Sequence, residues 1–189
     1  MSLIGETLGK IGENILKQNN MKDQITLQRI EDIHPKLRTE LHAIYNEICT
    51  AFPGQTGVRF VQVFRSFPEQ DALYAQGRTK PGPKVTDAKG GQSYHNYGLG
   101  VDFCLLFDKN NDGHISSDEI IWNRNTDLDK DKLIDWMEVV KIFTKYGWTW
   151  GASWSDYPHF EKPFGYKVSK LLAKYKAGDF IPGTKYVNL

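Results

Sequence analysis

Two short segments far apart in the chain constrain the fold most: Ser93-Tyr94-His95-Asn96-Tyr97-Gly98-Leu99-Gly100-Val101-Asp102 and Asp156-Tyr157-Pro158-His159. Together they offer two imidazoles and two carboxylates. Two histidines and one carboxylate leave the fourth tetrahedral position of a zinc ion open for water, whereas structural zinc sites are closed and usually rich in thiolate. The remaining carboxylate is free to act as a base. A fold that uses this set must bring two distant stretches of backbone to one point.

His95 and Asp102 flank a Gly98-x-Gly100 step at which a loop turns into a strand, and neither glycine obstructs a close backbone approach. Leu99 to Phe107 reads as a largely buried strand, apolar except at Asp102. A carboxylate in such a strand is costly unless a cation or strong donors meet it. Pro158 stiffens the backbone beside His159, and Asp156 lies close enough upstream to face the same water. Taken alone, Asp156 also suits a turn before Tyr157-Pro158. The joint pattern favours the metal site. His34, His42 and His114 are expected to be ordinary hydrogen-bonded residues of the surface or core.

The segment SYHNYGLGVD resembles the SxHxxGxxxD signature of the zinc D-Ala-D-Ala carboxypeptidase and L-alanyl-D-glutamate peptidase family, and DYPHFE resembles its second signature. The resemblance runs from about Ile30 to about Lys162. It implies that His95, Asp102 and His159 bind zinc and that Asp156 activates water. Many relatives carry Glu at the base position; Asp here is closer to the phage-endolysin and L-alanyl-D-glutamate branch. The implied fold is the small one shared by D,D-peptidases and the Hedgehog signalling domain. The implied substrate is the peptide stem of bacterial peptidoglycan, with the L-alanyl-D-glutamate bond favoured and the terminal D-Ala-D-Ala bond as the alternative. A non-catalytic, calcium-binding wall-recognition or phage structural protein is a further alternative, against which the complete set of four site residues argues.

Arg65 follows the strand-like run Val58 to Val63 and precedes a helix opened by Ser66-Phe67-Pro68-Glu69, where Ser66 and Glu69 form a capping-box pattern. That places its guanidinium at a strand end, able to donate to a carbonyl oxygen as negative charge develops. The resemblance assigns an arginine here to transition-state stabilisation; the plainer reading is a surface arginine paired with an acid. Ser93, Gln70 and Trp154 are weaker candidates for substrate contact.

Between the two halves of the zinc pattern lies Asp108-Lys109-Asn110-Asn111-Asp112-Gly113-His114-Ile115-Ser116-Ser117-Asp118-Glu119, with the donor spacing of an EF-hand calcium loop. Oxygen donors come from Asp108, Asn110, Asp112, Ser116 and Glu119, with the His114 carbonyl between them. A second loop repeats the pattern through Asp127, Asp129, Asp131, the Leu133 carbonyl, Asp135 and Glu138, but Lys132 replaces the turn glycine. The second is therefore expected to be the weaker. Residues 108–138 hold nine acids against four bases, in a chain whose net charge is +1. The acids are concentrated where a divalent cation would relieve their repulsion, and calcium is expected to order both sides of the zinc site.

The remaining pattern predicts an α+β fold with a mostly antiparallel sheet flanked by helices and an acidic, EF-hand-like insert over 108–138. Expected helices cover Pro35 to Phe52, Phe67 to Gln76, Trp136 to Tyr146 and Gly165 to Ala177, the last with Val168, Leu171, Leu172 and Tyr175 inward. Strands are expected near Val58 to Phe64, Glu119 to Trp122 and Trp148 to Trp150. Residues 1–25 read as an amphipathic extension and 26–189 as one zinc peptidase domain, whose 40% apolar content suits a globular core. The extension is too polar for a secretory signal, which fits a lysin held in the cytoplasm until released to the wall. No membrane-spanning run is present, a monomer is favoured, and a near-neutral charge without a basic-aromatic stripe argues against nucleic-acid binding. Cys49 and Cys104 are expected to be buried hydrophobes, with a disulfide left open.

Overall fold

The computed structural model describes residues 21–189. The amphipathic stretch expected at the N-terminus lies outside the described residues up to residue 20, and the boundary placed after residue 25 falls inside the first helix of the described residues. That helix, α1 (Gln24–Ile30), is capped by the Asp23 side chain, which accepts from the Thr26 amide. Asp23 also accepts from Arg59 at 2.8 Å, so the cap is tied to the sheet.

Helix α2 (Pro35–Ala51) turns Leu37, Leu41, Ile44, Tyr45, Ile48 and Cys49 inward, and β1 (Thr56–Gln62) follows. Helix α3 (Phe67–Ala75) opens with the expected capping box between Ser66 and Glu69. Strand β2 (Gly100–Phe107) is central and pairs antiparallel with β1. Its other edge takes β5 (His159–Glu161) near the Gly100 end and the two-residue β3 (Ile120–Ile121) near the Leu105 end. Strand β4 (Thr149–Trp150) extends the sheet beyond β5, giving the order β1-β2-β5-β4.

Helices α2 and α4 (Asp135–Lys145) pack together and contribute to the main core. An aromatic series joins helix and sheet: Phe143 stacks on Phe160 at 4.2 Å, and Phe103 lies 4.3 Å from Trp136. These geometries hold large apolar areas in fixed offset arrangements. Cys49 and Cys104 are both buried and free, which closes the open disulfide question in this structure. Trp148 is buried against Phe143, whereas Trp150 is half-buried and donates to the Tyr157 carbonyl at 2.7 Å.

The last helix, α5, spans Val168–Lys176 and starts later than expected. Phe164 and Gly165 have φ of 51° and 79°, left-handed values that no α-helix contains. Leu171 points inward, but Tyr175 is 40% exposed and stacks on Phe67 instead. Among the described residues no helix is long and apolar enough to cross a membrane.

Candidate active site

Strand pairing brings two of the predicted ligands together, because Asp102 of β2 and His159 of β5 are direct cross-strand partners. Side chains opposite each other in an antiparallel pair have Cβ atoms about 5 Å apart. His95 arrives separately, on a 3-10 turn (Tyr94–Tyr97) whose amide at His95 is accepted by the Ser93 hydroxyl. The Asn96 side chain donates to the Arg65 carbonyl at 2.8 Å and accepts from the amides of Gly91 and Ser93, so this turn is fastened to the segment carrying Arg65.

The three candidate ligand atoms are His95 Nε2, Asp102 Oδ1 and His159 Nδ1, separated by 3.1 Å, 3.1 Å and 2.8 Å. The outer nitrogens are anchored: His95 Nδ1 lies 3.0 Å from the Val63 carbonyl and His159 Nε2 lies 3.3 Å from Glu161 Oε2. Such anchoring fixes ring orientation and tautomer, as it does for metal-ligating histidines generally. Gly100 makes the approach feasible, since a Cβ there would stand 3.0 Å from His159 and 3.3 Å from His95.

Electrostatics favour a cation among these groups. Burial raises Asp102, but His95 and His159 outweigh it and hold the carboxyl well below its usual range. Burial lowers His159, but the hydrogen bonds its ring makes to the carboxylates of Asp102 and Glu161 outweigh it and raise the imidazole to about 9. Two imidazoles and a carboxylate that stabilise positive charge between them match the open donor set of a catalytic zinc ion. The residues fit the metal.

Asp156 is positioned by a 3-10 turn (Gly151–Trp154) followed by Ser155 in left-handed conformation, and its amide donates to the Gly151 carbonyl at 3.0 Å. Gly151 is required for this closure, because a Cβ there would sit 2.2 Å from the Asp156 carbonyl oxygen. Burial first, and then the Asp102 charge, raise the Asp156 carboxyl above its ordinary value. A raised carboxylate is a better proton acceptor.

Arg65 donates through Nη1 to Gln70 Oε1 at 2.9 Å and reaches Asp102 Oδ2 at 4.0 Å. Gln70 is fully buried and also donates to the Ala88 carbonyl, so it stands behind Arg65 and orients it rather than facing substrate. Arg65, Ser93, Trp154 and Asp156 line one cleft of about 560 Å³ with the three ligands. Trp154 is 48% exposed, with its ring 6.2 Å from that of His159. A larger groove of about 780 Å³ runs past Leu133, Ile134 and Met137 and carries none of these groups.

The chain pattern did not single out Glu161, Val63 or Asn96. Glu161 had a signal, since residues two apart on a strand share a face. The roles of Val63 and Asn96 depend on backbone contacts between distant segments. His34 is buried, His42 pairs with Glu31, and His114 is exposed, all outside the cluster.

The two acidic loops differ from their expected ranking. In the first, Glu119 accepts from the amides of Lys109 and Ser116, and Asp118 pairs with Lys109. Among the described residues its carboxylates form no convergent group. In the second, Asp127, Asp129 and Asp135 converge, as do Asp129, Asp131 and Glu138. Burial first, then repulsion from the neighbouring acids, raises Asp135 to about 6 and Glu138 to about 7. Lys132 adopts φ of 78°, matching 79° at Gly113, so the missing glycine does not prevent the turn.

A family model described as D-alanyl-D-alanine carboxypeptidase matches residues 86–162, the stretch that carries both halves of the site. The peptidoglycan L-alanyl-D-glutamate endopeptidase CwlK of Bacillus subtilis is 43% identical over 135 residues, covering 69% of this chain and 73% of that protein. Among solved structures, the L-Ala D-Glu endopeptidase ChiX of Serratia marcescens aligns with a TM-score of 0.47 at 16% identity, over 75% of this chain and 88% of that one. With all three residues of the candidate triad inside the matched stretch, the chain belongs to the M15 peptidase family.

Proposed function

We propose that the protein is a zinc-dependent endopeptidase that hydrolyses the L-alanyl-D-glutamate bond in the peptide stem of peptidoglycan. The observation that carries this reading is the convergence of His95 Nε2, Asp102 Oδ1 and His159 Nδ1 within 3.1 Å in a cleft that also holds Asp156 and Arg65. The choice of bond rests on the likeness to CwlK.

When bound, zinc supplies Lewis acidity and brings water closer to ionisation at neutral pH. His95, Asp102 and His159 would hold the metal, and the Val63 carbonyl and Glu161 keep the imidazoles aimed. Asp156 accepts a proton from the water that attacks the alanyl carbonyl carbon. Arg65, oriented by Gln70, donates hydrogen bonds to the carbonyl oxygen as negative charge develops there. Asp156 then returns the proton to the departing nitrogen of D-glutamate. The products are a new alanyl carboxylate and a free glutamyl amine, and Trp154 and Ser93 form the adjoining wall on which the stem lies.

Digestion of purified sacculi, with mass spectrometry of the new amino termini, tests this. Free D-glutamyl amines are expected, and release of D-alanine alone would overturn the bond assignment. Asp156→Asn is expected to lower kcat by about 10²–10⁴-fold while zinc content by elemental analysis stays at the wild-type level. Undiminished turnover would remove Asp156 from the reaction.

A further inference from the structure

We propose that the second acidic loop, residues 127–138, binds a calcium ion. The inference is independent of the peptidase reading, since none of these residues lines the catalytic cleft.

Five carboxylates meet around Asp129: Asp127 and Asp135 on one side, Asp131 and Glu138 on the other, with ligand oxygens in each group of three within 4.8 Å of one another. Among the described residues none of the five pairs with a lysine or arginine. A second, separate observation points to an ion. Asp135 is fully buried, and although its Oδ2 accepts from the Leu128 amide at 2.9 Å, its Oδ1 has no partner. Glu138 Oε2 is likewise buried and unpartnered. Unmet carboxylate oxygens away from water cost several kcal/mol unless a donor or cation meets them, which is why native structures contain few of them.

These two residues occupy the ninth and twelfth places of the loop, the places from which an EF-hand closes on its ion. In the first loop the twelfth-place Glu119 is already spent on backbone amides. The donors of the second loop are all oxygen, which excludes a preference for zinc, and their number exceeds what magnesium ordinarily takes from protein. Asp135 starts α4, and its amide donates to the Thr126 carbonyl at 3.1 Å. Arg124, two residues earlier, stacks on Tyr157 at 3.5 Å, which links the loop to the wall carrying Asp156 and His159.

The test uses the full-length, zinc-loaded protein, titrated calorimetrically with calcium chloride and melted with and without calcium. One calcium per chain and a higher Tm are expected, with affinity reduced at least about tenfold in Asp135→Asn and Asp129→Asn but not in Asp108→Asn. Asp129 is half-buried rather than fully buried, so its variant keeps the test decisive if Asp135→Asn fails to fold. The proposal is overturned if wild-type protein takes up no calcium at millimolar concentration, if Asp129→Asn binds it as wild type does, or if Asp108→Asn loses affinity equally.

Discussion

At the scale of single residues, Gly100 shows how strictly the site depends on an absent side chain. A methyl group there meets the rings of His159 and His95 at 3.0 Å and 3.3 Å. Gly100→Ala is therefore expected to weaken zinc binding about 10–100-fold, the range seen when the supports of metal ligands are disturbed, as measured by competition with a chelator. His34 carries a different dependence. Its Nδ1 accepts from the Lys36 amide at the start of α2, and its Nε2 donates to the Val187 carbonyl at 3.0 Å. Burial lowers its pKa below the ordinary 6.5. The unfolded chain then binds a proton that the folded one refuses, so stability is full above about pH 6.5 and falls as pH drops below it. Thermal melts across pH 5 to 7.5 should show this loss in the wild type and a weaker slope in His34→Gln.

At the scale of elements, β2 does the most to build the site, since one strand supplies Asp102, the partner register for His159 and the glycine between the imidazoles. Its apolar run interrupted by one acid was legible, as was the capping box before α3, because both are local patterns. The late start of α5 was not legible, since Phe164 takes a left-handed conformation that its residue type does not announce. Phe143 locks α4 to the sheet through its stack on Phe160 next to His159. Phe143→Ala should cost about 3–5 kcal/mol of stability, measured by denaturant unfolding. A loss below about 1 kcal/mol would show that the stack contributes little beyond an ordinary surface contact.

At the scale of the molecule, the proposed metal ligands come from the turn before β2, from β2 itself and from β5, so a zinc ion held there would cross-link segments that are distant along the chain. Removing zinc with a chelator is expected to lower Tm, because a ligand at a hundredfold excess over its Kd stabilises the folded state by about 2.7 kcal/mol. Asp102→Asn should shrink that shift; an identical shift would mean that zinc is held elsewhere. The sequence by itself determined the donor types, the residues 95, 102, 156 and 159 that carry them, and the spacing of both acidic loops, because these are properties of residue identity and local order. Only the tertiary structure decided which imidazole nitrogens converge on the Asp102 carboxylate, that Val63 and Glu161 anchor the rings, that Gln70 stands behind Arg65, and which loop gathers its carboxylates. Each of those depends on contacts between segments whose separation along the chain carries no record of their distance in space.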